Sequence, residues 1–536
     1  MNLIAAACAA VLILAASHAT AQTHGAEHDV HAAFGAVNFP VSCNPQAQKQ
    51  FNTAAALLYS FYWEKVDAAV TAVLQADPTC AMAYWAKAIA SLDNPLGSPP
   101  TPQQEQQGWA AVGKAKQLGG RTARERDYIA AVESVFKDHA TVPFKTRAAT
   151  YDNALEQIYT RYPEDSEAAV LYAYWLQVTA DRNDLTHAKQ LQSARILEKV
   201  AATQPNHPGV VHFLIHAYDF PAIAEHGVAA ARRYAAIAPD SPHALHMPSH
   251  IFSRVGQWQD SIDMNVRSRA AATSDRDRYH ALDYLTYASL QLGRDADARK
   301  WVEFVESNQT LTEQTRQIAY AAAVIPARFA LERGEWAAAA ELQLRPASST
   351  LDWGPFPEGE AVNAYARGLG AARMGNAAAA KAEVARLGKL RKTMVEQQKD
   401  YWVEQADIQV DAIRAWVARA EGKNDEAVRL MRAAADREDS TEEHIMMPGR
   451  VIPIREMLGE LLLELKRPLA ALAAFEESQR GDPNRFRNVY GAARAAELAG
   501  KPETARMYYA RLVQQVGPDA AGRDEIKQAR AFVAKL

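Results

Sequence analysis

The sequence predicts an all-α protein, a solenoid in which antiparallel helix pairs wind into a right-handed superhelix. Helix-favouring, alanine-rich segments run through most of the 536 residues, and no region alternates β-branched and polar residues as a strand would. A glycine followed five positions later by a small residue recurs along the chain, as expected where repeated helices touch closely. The pairs are Gly256/Ser261, Gly293/Ala298, Gly334/Ala339, Gly375/Ala380, Gly422/Ala427 and Gly500/Ala505.

Prolines close other units after alanine-rich segments, and two of them, Pro205 and Pro239, lie 34 residues apart. Together with the glycine pattern, this resembles the tetratricopeptide repeat (TPR) family. The resemblance covers roughly residues 45–515 and implies about nine or ten units. It also implies that the inner helices line a concave groove, which holds a peptide, a protein segment or a small-molecule ligand.

The start of the chain has the features of an export signal. An apolar run from Leu3 to Ala16 precedes Ala19-Thr20-Ala21, a small-residue cleavage site. The interpretation is a signal peptide over residues 1–21, cleaved after about Ala21. We therefore expect a periplasmic or secreted protein with no transmembrane segment in the mature chain.

Three further segments follow this signal. Residues 22–44 are predicted to be extended, residues 45–515 to form one continuous solenoid, and residues 516–536 to form a capping helix. Cys43 and Cys80 either pair as a disulfide in an oxidising compartment or remain buried free thiols.

Charge and motifs exclude several function classes. The 59 basic and 63 acidic residues give a net charge of −4, which argues against a nucleic-acid partner. The chain has no P-loop, GxGxxG, GxSxG, HExxH or CxxC motif, so nucleotide-binding and serine-hydrolase interpretations lack support.

Histidines are concentrated in one part of the chain. In the repeat register, His212 and His246 occupy equivalent positions 34 residues apart, and so do His216 and His250. Within one helix, His212 and His216 are spaced i,i+4, and so are His246 and His250, so the two members of each pair lie on one helix face. In the TPR family that the sequence resembles, these repeat positions point into the concave groove. The resemblance therefore implies that three successive inner helices present the sets His212/His216/Asp219, His243/His246/His250 and His280/Asp283/Tyr287 to a common surface.

Imidazoles from adjacent helices can share a metal ion. Neighbouring helices pack about 8–10 Å apart, and neutral imidazole suits Zn, Cu, Fe or Ni. The predicted ligands of one such ion are His212, His216, His246 and His250. We assign catalytic or proton-transfer roles to His243, His280 and Asp283, and groove positions to Asp219 and Tyr287. Two alternatives are a metal-free site with one histidine as general base, and histidines that merely line the groove.

Two weaker signals accompany this cluster. An acidic loop around Glu442 precedes Glu456 and Glu460, which occupy groove positions. If the superhelix curls, the carboxylates of the loop and these two glutamates would face the histidines; the alternative is a solvated acidic loop. The tract His24, His28 and His31, just after the predicted cleavage site, either binds a metal ion or is a solvated terminus.

The histidine runs His212-Phe-Leu-Ile-His216 and His243-Ala-Leu-His246-Met-Pro-Ser-His250 resemble those of exported bacterial TPR proteins of unassigned function. Two functions follow as hypotheses. One is an exported binding or scaffold protein whose groove carries a His/Asp-rich site for a ligand or metal ion. The alternative is a metal-dependent enzyme, hydrolytic or oxidative, that uses the histidine cluster.

Overall fold

The computed structural model describes residues 33–518, 520 and 522–535. The predicted signal peptide and the N-terminal histidine tract lie outside the described residues.

The described chain is all-α, a TPR-type solenoid, and it contains no strand. Its first half comprises α1 Pro45–Tyr59, α2 Trp63–Ala76, α3 Ala81–Ala90, α4 Pro102–Leu118, α5 Ala123–Phe136, α6 Phe144–Arg161, α7 Ser166–Val178, α8 Ala188–Thr203, α9 Pro208–Tyr218, a 3-10 turn Ala224–Gly227, α10 Val228–Ile237, α11 Pro242–His246, α12 Pro248–Arg254 and α13 Trp258–Ala271. The remainder comprises α14 Asp275–Gln291, α15 Asp295–Ser307, α16 Arg316–Glu332, α17 Trp336–Ala340, α18 Pro357–Arg373, α19 Ala377–Glu396, α20 Asp400–Ala420, α21 Asn424–Asp439, α22 Ile454–Glu464, α23 Pro468–Gly481, α24 Phe486–Leu498, α25 Pro502–Val516 and α26 Asp524–Ala534.

Consecutive helices pack as antiparallel pairs, beginning with α1 and α2 and ending with α24 and α25. Helices α11 and α12 act together as the first member of one pair, since both pack on α13. Each of the six glycines that marked the repeat has a positive φ of 66° to 79° and joins the two helices of a pair. Glycine adopts this left-handed backbone without steric cost, which explains its recurrence there.

The described residues form twelve pairs, where the repeat pattern implied about nine or ten. The estimate was low because the pairs before α11 turn through loops that lack the glycine signal. An example is the connection between α3 and α4, which runs over residues 91–101.

A disulfide joins Cys43 to Cys80. It connects the segment before α1 to the residue that caps the start of α3. This decides the alternative that the sequence left open in favour of pairing. Nearby, Phe39 packs edge-on against Phe51 and Trp85, so the N-terminal segment belongs to the core.

The loop between α21 and α22, residues 440–453, crosses the inner surface of the superhelix. Arg254 on α12 donates to the carbonyl of Met447 (3.3 Å), and Arg328 on α16 donates to that of Gly449 (3.1 Å). Both arginines lie on first helices of their pairs. This loop therefore covers part of the inner surface. We call residues 440–453 the crossing loop.

None of the helices within the described ranges combines the length and the apolar character needed to cross a bilayer.

Candidate metal centre

Six histidines meet on the inner surface. They lie on the first helices of three neighbouring helix pairs. They form two groups, within each of which one ring nitrogen per residue lies within 4.8 Å of the others. The first triad is His212 and His216 on α9 with His243 on α11, and the second triad is His246 and His250 on α11 and α12 with His280 on α14.

Local sequence signals set the faces of these helices. Helix α9 starts at Pro208, where the capping His207 side chain accepts from the Val210 N–H. Helix α11 starts after Ser241, whose hydroxyl accepts from the Ala244 N–H. Pro248 then separates α11 from α12, because proline lacks the N–H that a continuous helix would use. The rings of His246 and His250, on either side of this break, lie 4.9 Å apart between centroids.

Hydrogen bonds fix the tautomers in the second triad. Asn265 Nδ2 donates to the Ser261 carbonyl (2.8 Å), so its Oδ1 faces His246 and accepts from His246 Nδ1–H (2.6 Å). His250 Nδ1–H donates to Asp219 Oδ2 (2.8 Å). When both imidazoles are neutral, the proton of each is therefore on Nδ1. The two Nε2 atoms lie 3.0 Å apart with lone pairs available and no proton between them.

The first triad has the same kind of anchor. His212 Nδ1–H donates to the carbonyl of Tyr59 (2.6 Å), which leaves Nε2 as the lone-pair atom, 3.1 Å from His243 Nε2. Both ring nitrogens of His216 are buried and have no hydrogen-bond partner among the described residues. Buried polar groups are almost always paired, so His216 lacks a partner that the site must supply.

Burial keeps all six rings neutral. Desolvation lowers the pKa of His212 to about 3 and that of His246 to about 4. The pKa values of the other four are well below the ordinary range, because of burial first and then repulsion from neighbouring histidines. Neutral imidazole is the form that binds metal ions, so the cluster needs no deprotonation before it can act as a ligand set.

A buried chain of charges supports His250. Asp219 Oδ1 accepts from Arg254 Nε (2.9 Å), and Arg254 also pairs with Glu443 of the crossing loop. Burial raises the pKa of Asp219 to about 6, while the Arg254 cation opposes the rise. Carboxylates that hold the second N–H of a metal-bound histidine orient the ring and increase its basicity.

A cavity of about 90 Å³ adjoins both triads. His216 and His243 of the first triad and His250 and His280 of the second contribute to its lining. Phe61 covers the first triad, with its ring centroid 4.5 Å from that of His212. A small molecule in this cavity would therefore contact both triads at once.

The sequence did not single out Tyr284. Its ring lies 4.6 Å from His246 and 5.0 Å from His250, and its buried hydroxyl has no partner among the described residues. The sequence signal for Tyr284 was its i,i+4 spacing from His280, because His212/His216 and His246/His250 have the same spacing.

The structure corrects the placement of Asp283 and Tyr287. Asp283 accepts from Arg328 Nη1 (2.5 Å), and Tyr287 contacts Arg485 Nη1 (2.8 Å) and packs on Trp258, so neither joins the histidines. The prediction counted the register back from Gly293. Helix α14 spans 17 residues, and its turn nearest the histidines is the one that carries His280 and Tyr284.

Glu456 and Glu460 also lie elsewhere. Glu456 is buried and pairs with Arg485 (2.9 Å), and Glu460 pairs with Arg487. The acidic loop, which is part of the crossing loop, does reach the site, as expected for a curled superhelix: Glu443 pairs with Arg254, and His444 lines the cavity and stacks on Trp402.

The roles predicted for the histidines need one revision. His212, His216, His246 and His250 do converge, but as pairs within two triads rather than as one four-ligand set. His243 and His280, predicted to act as outer proton-transfer groups, complete the triads.

Comparisons with known proteins add little to this geometry. No protein-family model and no curated protein matches the chain. Among solved structures, a human IFIT1 dimer with PPP-AAAA is 11% identical, with a TM-score of 0.39, over 91% of this chain and 99% of that chain. The Naa15/Naa10 complex bound to HypK-THB is 12% identical, with a TM-score of 0.24, over 91% of this chain and 74% of that chain. Similarity at this level carries no argument about ligands or activity.

Proposed function

We propose that this protein is an exported TPR-type binding protein whose inner-surface histidine cluster holds a transition metal ion, Zn, Cu, Fe or Ni. The observation that carries the proposal is the 3.0 Å separation of His246 Nε2 and His250 Nε2. Both Nδ1 atoms donate elsewhere, so these two lone pairs repel each other unless a cation lies between them. Imidazole nitrogens bind such ions at about 2.0–2.1 Å, which places two ligands of one ion about 3 Å apart.

Export is supported by the apolar N-terminal run and by the Cys43–Cys80 disulfide. Disulfides persist mainly in oxidising compartments such as the periplasm or the extracellular space.

The test is elemental analysis of full-length protein purified without a histidine tag. We expect a stoichiometric transition metal, and a lower metal content in the double variant His246→Ala/His250→Ala, which removes two ligands of the second triad. The matched control, His139→Ala/His226→Ala, removes two histidines outside the cluster and should retain the metal. Circular dichroism verifies that both variants fold. The absence of bound metal from wild-type protein after reconstitution would overturn the proposal.

A metal-dependent enzyme is the second candidate, and the cavity beside the triads favours it. Three protein ligands leave coordination positions for water or substrate, which is the usual arrangement of catalytic sites. The cavity would give a small substrate access to those positions. Metal-loaded protein should then hydrolyse p-nitrophenyl esters or consume dioxygen with ascorbate as reductant, and His280→Ala should abolish the activity. Inactivity in both assays would leave the binding function alone.

A further inference from the structure

The six histidines divide evenly between two ligand sets, and this division bears on the number of ions. Each triad alone offers three nitrogens, the number that protein sites commonly supply to a catalytic metal. Six nitrogens around a single ion would require rings from both triads to converge on one point. The nitrogens instead group by threes, since one nitrogen from each residue of a triad lies within 4.8 Å of the other two in that triad.

The triads also have separate anchors. The first is held by the carbonyl of Tyr59 at the end of α1, through His212. The second is held by Asn265 on α13 and by Asp219 after α9. Because different acceptor groups orient the two sets, substituting a ligand of one triad leaves the anchoring hydrogen bonds of the other in place.

We infer that the cluster is a dinuclear centre, with one transition metal ion in each triad and a small exogenous ligand bridging the two ions from the cavity. This inference rests on the proposed metal-binding function and specifies its stoichiometry and its ligand class. Four cavity-lining histidines, two from each triad, place both ions within reach of one small molecule. Ions in known two-metal sites lie about 3.5–4 Å apart and act together on a bridging ligand.

The chemical class of that ligand follows from the ligand set. All six protein ligands are neutral, so two divalent ions would carry a total charge of +4 into a buried site. The charge of Asp219, which holds the His250 ring, is balanced by Arg254. The carboxylates Asp93 and Asp277 of the cavity lining are matched there by the guanidinium groups of Arg276 and Arg316. A small anion that bridges the ions, such as hydroxide or azide, would offset this charge.

The test uses His243→Ala and His280→Ala, which remove one half-buried ligand from each triad and disturb the core less than the fully buried positions. All proteins carry alanine at His24, His28 and His31, so that metal bound by the N-terminal tract is not counted. In this experiment, wild type means the protein with these three substitutions and no others. The probe is Cu(II), with bound copper measured after gel filtration. Wild type should bind two equivalents, each single variant one, and the double variant none.

Spectroscopy distinguishes a dinuclear centre from two independent sites. Two bridged Cu(II) ions couple magnetically, so the wild-type EPR signal should integrate to well under two spins, while each single variant gives a full one-spin signal. Azide should perturb the wild-type absorption at one azide per two coppers.

The possible outcomes separate the two proposals. One copper in wild type, lowered by both variants, would overturn the dinuclear centre and keep metal binding. Two coppers with a full two-spin signal would overturn the bridge. No copper in the folded wild type would overturn the proposed function itself.

Discussion

At the residue scale, the free-energy cost of burying unpaired imidazoles is the reason that this cluster indicates a metal site. Six imidazoles are removed from water, and His216 receives no hydrogen bond in return from the described residues. An unsatisfied buried polar group costs about 1–3 kcal/mol. A cation in the first triad would satisfy His216, and a cation in the second would satisfy the facing lone pairs of His246 and His250.

Asp219 gives a prediction about ring orientation. The substitution Asp219→Asn removes the anionic acceptor of His250 Nδ1–H and the anionic partner of Arg254. We expect metal affinity to fall about 10- to 100-fold, the usual effect of losing such a partner. Competition with a chromophoric chelator for Zn(II) measures the affinity. Asp260→Asn, at a more exposed ion pair with Arg232, is the control and should leave it unchanged. Equal affinities of wild type and Asp219→Asn would contradict the orienting role.

The buried neutral histidines give a prediction about pH. Burial lowers the pKa of His246 to about 4, against about 6.5 in the unfolded chain, so the unfolded state binds more protons between these values. The stability contributed by the neutral ring is complete above pH 6.5 and is lost as the pH falls towards 4. From pH 7.5 to pH 5, the unfolding free energy of metal-free protein should fall by about 2 kcal/mol more in wild type than in His246→Gln. Urea titrations at both pH values measure this, and parallel losses would count against the assignment.

At the element scale, the turns that need glycine leave a recognisable pattern in the sequence, whereas the contacts of the crossing loop do not. A turn that needs a positive φ at its end selects glycine, so Gly256, Gly293 and their equivalents revealed the pairs directly. The i,i+4 histidines likewise followed from helix periodicity. The approach of the acidic loop to the histidines could be predicted only on the condition that the superhelix curls. The contacts of the crossing loop with α12 and α16 join residues more than 100 positions apart and leave no periodic trace in the sequence.

The crossing loop gives an element-scale prediction. Glu443 is 4% exposed at its side chain and pairs with Arg254 beside the second triad. Glu443→Gln leaves Arg254 less compensated and should loosen the loop over the cavity, since breaking a buried pair costs several kcal/mol. We expect metal transfer to excess chelator to become several-fold faster in stopped-flow measurements.

Glu426→Gln, in the first turn of α21 and exposed, is the matched control and should transfer metal at the wild-type rate. Identical rates for Glu443→Gln and wild type would show that the loop does not restrict access.

At the scale of the whole molecule, the histidines lie where two cores meet. One apolar cluster is built from residues between Phe34 and Phe252, and the other from residues between Tyr279 and Ala529. The histidine helices α9, α11, α12 and α14 span this junction. Repetition made the solenoid predictable, but the meeting of distant turns depends on the summed rotation of many pairs. For that reason Glu456 and Glu460 were placed wrongly, whereas the local histidine pairs were not.

The disulfide stabilises the part of the chain that forms the apolar cluster between Phe34 and Phe252. It closes a loop of 37 residues between Cys43 and Cys80, and the chain-entropy model assigns such a loop about 3–4 kcal/mol. The double variant Cys43→Ser/Cys80→Ser should lose roughly that much unfolding free energy in urea titrations, and wild type treated with reductant should match it. A loss under 1 kcal/mol in both would contradict the prediction.

The central claim is that the buried imidazoles bind transition metal ions, and anomalous diffraction tests it most directly. Crystals of tag-free protein loaded with Cu(II) or Zn(II) would be measured above and below the absorption edge of the metal. The account predicts anomalous peaks within about 2.1 Å of the Nε2 atoms of His246 and His250, and of the nitrogens of the first triad. Peaks confined to surface side chains, with the six rings free of metal, would contradict it.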